Sequence, residues 1–538
     1  MRTLPLASSL LLLLVACGGG EAGGSSDVPA PPVDSPPPAV EPVANGDFAL
    51  GAAAPVRMRR GETKTLAIAI TRTAGAVGPV HLSITGLPAG IHASEAIAND
   101  GEMQAELELT ADASVAPATL PLVIRGALGT TEHTQTSSLL VTGLPGELDT
   151  TFGASGRADV EGAGWVAELA ALADGRVLAG ANVGGEALVA RFTSAGQLDT
   201  SFGEQGLARV PHPAGFSDEL RRILVLSDGR IVISGERRET AINKDRGLAA
   251  RFDANGHLDT SFAQSGVAAI ASGGDDTSFG AGIIENADGT LFFGGYDVVA
   301  SKCGVLVTKL DATGAPDVVF GPGGSRIVKA PAAPDTDLCP TTSVKLPGGG
   351  FVLGATAYAS VKMAAIRFDA KGDLDTTFGT SGFTLMGSEP AGAWISSLAL
   401  APDGKLVVGG YSRGPADSEM TFARLDTSGK LDATFGNGGL RTIDVGPLRS
   451  EVYTVKVAPD GTIAAAGWVE ITQNVTRFAM VRLDATGSVD KTFGTNGTVT
   501  GLDSIGAGYA IAFGSDGRLL LGTHFTDTKR PGLARFWN

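Results

Sequence analysis

Charge, cysteine and basic clusters are all scarce in this chain of 538 residues. Charged residues make up 18%, against about 25% in an average domain. The balance is acidic, with 41 Lys and Arg against 57 Asp and Glu and a formal net charge of −16. Neutralising phosphates takes clustered Lys and Arg, and no such cluster occurs, so nucleic acid is not expected as a partner. The six histidines, His81, His92, His133, His212, His257 and His524, form no HExxH or other metal-ligand spacing. Neither a metal nor a cofactor is expected. There is no GxSxG elbow and no phosphate-binding loop. The acids Asp275, Asp276, Asp335, Asp337, Asp417 and Glu419 lie in irregular stretches and read as solvated loop acids rather than a catalytic pair. No catalytic residue is assigned, and the chain is not expected to be an enzyme.

Long apolar runs are also missing. Leu4 to Val15 is the most apolar stretch near the start, and it is shorter than the roughly 20 residues that span a bilayer. Behind Arg2 it reads as a signal peptide over residues 1–16. The junction Leu14-Val15-Ala16-Cys17 resembles the lipobox of bacterial lipoproteins. That resemblance implies a lipidated Cys17, a membrane partner reached through the lipid, and a place in the cell envelope. Gly18 follows the cysteine, with no Asp to favour inner-membrane retention, so the outer membrane is the expected leaflet system. Residues 17–46 then read as a disordered tether. Its Gly/Ser half and the prolines Pro29 to Pro38 have too little apolar surface for a core.

Residues 47–143 alternate apolar and polar side chains with period two, as in Val80 to Ile84 and Met103 to Leu109. That pattern predicts strands with one buried face. Together with the Gly86-Leu87-Pro88-Ala89-Gly90 turn, the segment resembles a bacterial immunoglobulin-like sandwich. The resemblance implies a spacer.

What the chain has in plenty is glycine, 76 residues, and self-similarity. Leu148-Asp149-Thr150-Thr151-Phe152-Gly153 returns as Leu198 to Gly203, with Asp199 and Phe202. It returns again with Asp259 and Phe262, Asp375 and Phe378, and Asp432 and Phe435. Degenerate copies carry Asp317 and Phe320, and Asp490 and Phe493. The phenylalanines are spaced 50, 60, 58, 58, 57 and 58 residues apart. In six copies an Asp-Gly turn, as at Asp228-Gly229, joins two apolar runs, and in the fourth Pro347-Gly348-Gly349 takes its place. This is a strong hairpin signal because glycine accepts positive φ. Two further short strands make four per copy, and seven copies of four strands predict a seven-bladed β-propeller over residues 144–538. The repeats resemble the delta-60 repeat family, which implies a β-propeller and no particular activity. The fold class expected is all-β, a sandwich followed by a propeller.

Each copy places Arg or Lys before its motif acid, as in Arg191 and Asp199 or Arg251 and Asp259. A residue repeated in every unit reads as a structural clamp rather than a ligand site. Strand direction puts the Asp-Gly and LDTTFG-type turns on one rim and the variable connections, such as Glu236 to Arg246, on the other. Cys303 and Cys339 both fall on that variable side, in loops, and an exported chain predicts a disulfide between them. Trp165, Phe279, Trp394, Tyr453 and Tyr509 gather at the same end. They are the candidate ligand face, with packing between units as the other role open to them. The functional expectation is a monomeric, lipid-anchored envelope protein that binds a protein or glycan. An enzyme acting on envelope polysaccharide and a structural or assembly lipoprotein are the alternatives.

Overall fold

A computed structural model describes residues 46–538, apart from residues 74, 271–275, 329–336, 388–391, 414–417 and 502–504. The signal segment, Cys17 and nearly all of the tether lie outside the described residues, as do Asp275, Asp335 and Asp417. The described part is all-β, and its only helical element is a 3-10 turn at Pro322–Gly324.

The first body holds two sheets. One orders Phe48–Leu50, Thr63–Arg72, Gln104–Ala111 and Ile91–Ala93. The other orders Val56–Arg59, Thr131–Thr142, Ala118–Leu128, Val80–Thr85 and Ala96–Ala98. Alternation decides which side chains are inside: in Gln104–Ala111 every second residue is buried. Ile68, Ile70 and Leu107 of one sheet pack against Leu82, Ile124 and Leu128 of the other.

The rest of the described chain forms seven four-stranded antiparallel sheets. Sheet two is representative: Phe216–Val225, Ile231–Glu239, Lys244–Phe252 and Val267–Ile270, hydrogen-bonded in that order. The first strands of the other sheets are Gly164–Ala171, Asp276–Glu285, Leu338–Lys345, Ala393–Leu400, Ser450–Val457 and Ala510–Phe513. Second and third strands are almost wholly buried, as in Phe351–Ala357, because both of their faces are covered by neighbouring sheets.

Each apolar cluster belongs to two consecutive sheets. Leu178 and Val189 of sheet one meet Leu220 and Ile233 of sheet two. The series continues around the chain and returns on itself, for Leu520 and Leu533 of sheet seven pack with Val166 and Leu188 of sheet one. Sheet seven is completed from the other end of the repeats. Arg157–Asp159 pairs antiparallel with Pro531–Phe536, Ala158 opposite Leu533. The short strand that follows Phe152 thus clasps the two ends of the repeat region together.

The repeated motif is a fastener between sheets. The seven motif phenylalanines are buried, each worth roughly 1.5–3 kcal/mol relative to exposure. The motif carboxylate accepts from the backbone and hydroxyl two residues on, as Asp199 Oδ1 does from Ser201. Its other oxygen meets the recurring cation: Arg191 to Asp199 at 2.8 Å, Arg251 to Asp259 at 2.7 Å, Arg535 to Asp149 at 2.7 Å. Lys309 to Asp317, Arg367 to Asp375, Arg424 to Asp432 and Arg482 to Asp490 repeat the pair. The same arginines reach the next unit, Arg191 donating to the carbonyl of Ala254 and Arg251 to that of Ala312. They also lie over the motif rings, as Arg251 does over Phe262. In five copies the motif glycine adopts positive φ, 51° at Gly203, whereas Gly321 of the fourth is extended. In the third copy Ala263 stands there and is held at 48°.

Candidate functional site

Six of the seven first strands carry a β-bulge at the same height. The register slips between Val166 and Glu168, Leu220 and Arg222, Pro340 and Thr342, Ile395 and Ser397, and Val452 and Thr454. In sheet three the slip is wider, from Ser278 to Gly282. A bulge turns one extra side chain out of the alternation. It also presses the bulged backbone onto the second strand, where only glycine fits at four places. A Cβ on Gly235, Gly295, Gly410 or Gly467 would come within 1.9 Å of the carbonyl oxygen of Glu219, Ser278, Trp394 or Glu451.

The bulged residues converge. Ala167, Arg221, Gly280, Thr341, Ser396 and Tyr453 line one open cavity of about 620 Å³. Tyr509, just before the first strand of sheet seven, joins them, so all seven sheets contribute. The lining residues lie in the early part of the first strands. The mouth therefore opens at the end where those strands begin, opposite the Asp-Gly turns. The sandwich touches the ring at the Asp-Gly end: Arg57 donates to the carbonyl of Asp516 and Arg60 pairs with Glu147.

The cavity has two unlike walls. Sheets six, seven and one give an aromatic wall of Tyr453, Tyr509 and Trp165. The rings of Tyr453 and Tyr509 stack at 5.7 Å with an interplanar angle of 11°. Burial pushes the Tyr453 phenol up to about 12 and raises that of Tyr509. Behind them, burial holds His524 below its usual range, 5.8 Å from the Tyr509 ring. Sheets two and three give a polar wall. Arg221 pairs with Glu219 at 3.0 Å and Glu236 at 3.4 Å, and the Ser278 hydroxyl donates to Glu236. Burial, reinforced by the Glu236 charge, takes Tyr296 up to about 12. Burial also raises Glu219, with Arg221 opposing.

Further along the strands a second, smaller cavity of about 150 Å³ holds an ion cluster. Glu168 of sheet one meets Arg222 of sheet two at 3.4 Å and Lys456 of sheet six at 3.3 Å. Arg222 also donates to the carbonyls of Ala281 and Thr341. Across both layers every cation has a carboxylate partner, with Arg222 and Lys456 sharing Glu168, and the lining adds hydroxyls, amides and ring faces.

The five aromatic residues expected on a ligand face do not share one fate. Trp165, Tyr453 and Tyr509 line the cavity. Phe279 does not: it is fully buried and stacks on Phe293 at 5.3 Å, inside the packing between sheets two and three. The wide bulge of sheet three turns it inward. Trp394 stands beside the cavity, stacked on Tyr411 at 5.0 Å with Arg413 over it. Cys303 and Cys339 form a disulfide that ties sheet three to sheet four. They sit in strands, Lys302–Leu310 and Leu338–Lys345, rather than in loops. The hairpins run on past the core in the same way: Glu236 to Arg246 is mostly strand, with a turn only at residues 240–243. Arg221, Glu236 and Tyr296 were not singled out by sequence reasoning. The signal that could have found them is the break in alternation at the bulge.

A family described as a domain of unknown function (DUF5122) β-propeller matches residues 172–202, 226–262, 401–435 and 458–493. Each matched stretch starts within three residues of an Asp-Gly turn and ends at a motif phenylalanine. The matches support a propeller-type repeat family for this all-β chain. No curated protein matches it. Among solved structures, a chimeric titin Z1Z2 tandem carrying an exogenous GRGDS peptide from fibronectin is similar at 16% identity. The alignment covers 42% of this chain and 98% of that one, with a TM-score of 0.13.

Proposed function

We propose that the protein is a lipid-anchored binding protein of the bacterial cell envelope, and that its central cavity takes an uncharged carbohydrate. In this reading Cys17 carries the anchor, residues 17–46 lift the folded part from the outer membrane, and the sandwich is an immunoglobulin-like spacer. The seven sheets are the blades of one β-propeller. The observation that carries the binding role is the set of six bulges that bring one residue from each of six blades, with Tyr509 from the seventh, to a single cavity. Ring faces of Trp165, Tyr453 and Tyr509 suit the apolar faces of a sugar, and the paired Arg221, Glu236 and Ser278 suit its hydroxyls. A charged ligand would have to displace a carboxylate from Arg221, which weighs against it.

The test is calorimetric titration of the full chain with neutral cello-, malto-, xylo- and chito-oligosaccharides. Binding by at least one series, lost in Tyr453→Ala and in Trp165→Ala, supports the reading. No binding by any series, or binding that both variants retain, refutes it. Shorter sugars appearing in the same incubations would favour the enzyme alternative. Fixed co-purification with an envelope protein, without sugar binding, would favour an assembly role. Labelling with radioactive palmitate, lost in Cys17→Ala, tests the anchor.

A further inference from the structure

We infer that the ligand is a polymer, a neutral polysaccharide chain that leaves the cavity over sheets six, five and four rather than a single sugar enclosed in it. This inference rests on the carbohydrate reading of the cavity. The seven sheets share one plan, but their mouth-side pairs differ in a directional way. Opposite one another in the first two strands stand Glu219 and Glu236 in sheet two, and Ser278 and Tyr296 in sheet three. In sheet five the pair is Trp394 and Tyr411, and in sheet six Glu451 and Trp468. Sheet one places Trp165 opposite Asn182 and sheet four Cys339 opposite Thr356, so the pair made of two rings lies in sheet five. With Trp468 of sheet six and Tyr358 after the second strand of sheet four, it forms an aromatic arc of the mouth.

The arc is continuous with the cavity. Tyr453 lines it and is stacked on Tyr509. Tyr358 follows the second strand of sheet four, Tyr411 lies in the second strand of sheet five and Tyr453 in the first strand of sheet six, so three consecutive sheets bring rings to the same end of their strands. Trp394 is fixed beneath this surface by its stack on Tyr411 and by Arg413. Tyr358 follows the strand Phe351–Ala357 of sheet four and is 49% exposed. An exposed tyrosine at the end of an aromatic arc is a platform in search of a flat, polar partner. On the opposite arc the corresponding ground is salt-bridged: Arg237 to Asp218 at 2.7 Å and Arg238 to Asp245 at 2.8 Å. A single sugar in the cavity would need no such asymmetry. A chain laid outward in one direction uses it, gaining affinity with each unit that meets a ring.

The experiment extends the oligosaccharide titration by length, from one sugar to six, in the series that binds. It compares the wild type with Tyr358→Ala and with the Trp394→Phe, Tyr411→Ala double variant, and checks each by thermal unfolding. Tyr358 is exposed, so its replacement leaves the fold intact. The expected result is affinity that rises at least about tenfold from two units to six in the wild type. Both variants should keep disaccharide affinity and lose most of the gain. If all lengths bind alike, or if the variants leave the gain untouched, the polymer inference fails while the cavity reading stands. If no sugar binds, or if only an unfolded polypeptide such as reduced carboxymethylated lactalbumin does, both fall.

Discussion

The clamp at the closure of the ring should be far more costly to break than the same clamp elsewhere. Asp149 is fully buried, and its Oδ2 lies 2.7 Å from both Arg535 and Arg518. Arg535 belongs to the strand that pairs with Arg157–Asp159, and Arg518 to the hairpin turn of sheet seven. Asp149→Asn keeps the side-chain shape and the oxygen that accepts from Thr151. It removes the charge that two buried guanidiniums face. Breaking a buried pair by removing one partner costs about 3–5 kcal/mol. The lower end applies here, because an amide oxygen still accepts a hydrogen bond and Arg518 retains Asp516 at 3.5 Å and the Trp537 ring. At about 2.1 cal/mol/K per residue over roughly 395 residues, about 3 kcal/mol corresponds to a Tm lower by roughly 3–4 °C. The control is Asp317→Asn, whose partner Lys309 is an exchangeable point charge in a half-exposed setting. Its Tm should stay within about 2 °C of wild type. Scanning calorimetry of both variants decides the matter, with tryptophan fluorescence reporting Trp537 beside Arg518. Equal losses in the two variants, or no loss in Asp149→Asn, would refute the argument that burial and closure make this copy special.

Three other outcomes are expected. Ala263→Gly relieves a non-glycine residue held at positive φ and should stabilise the chain by about 1 kcal/mol, read as a higher Tm; an unchanged or lower Tm would show that the alanine is unstrained. Cys303→Ser with Cys339→Ser removes a bridge across a sequence separation of 36 residues. Loop entropy predicts a loss of about 3–4 kcal/mol, and wild type under a phosphine reductant should reproduce it; equal Tm values with and without reductant would count against it. Tyr296, Tyr411 and Tyr453 hold their protons up to about 12, against 10.0 in the unfolded chain, chiefly because of burial. The folded state then binds more protons than the unfolded one across that window. Stability is whole below pH 10 and falls as pH climbs towards 12, and a tyrosinate absorbance titration with one step near 10 would contradict this.

How much of this was legible in the residues depended on whether the signal repeats. The motif Asp, Phe and Gly and the Asp-Gly turns recur in nearly every copy, so their structural role emerged from spacing alone. The clamp pairing followed, since a cation on one strand and an acid on the next turn have only one place to meet. The bulge was harder to see for the opposite reason. It interrupts the alternation of a short first strand once, and a single break is a weaker signal than a motif that repeats. Trp165 and Trp394 sit two residues before their bulged positions, whereas Tyr453 occupies one. A list of aromatics near strand starts therefore mixed two environments, and Phe279 fell into a third. The polar wall escaped notice because Glu236 reads as the start of a variable connection and Tyr296 as part of a buried second strand, and only the strand pairing sets them opposite Glu219 and Ser278.

The pairing of Arg157–Asp159 with Pro531–Phe536 sets the order of events during synthesis. The first of these segments leaves the ribosome long before its partner exists, and until then the earliest sheet has an exposed neighbour surface and the last cannot be finished. A nascent chain of this design stays open through most of its translation. It also makes a late frameshift or C-terminal trimming as damaging as a lesion at the centre of the wheel.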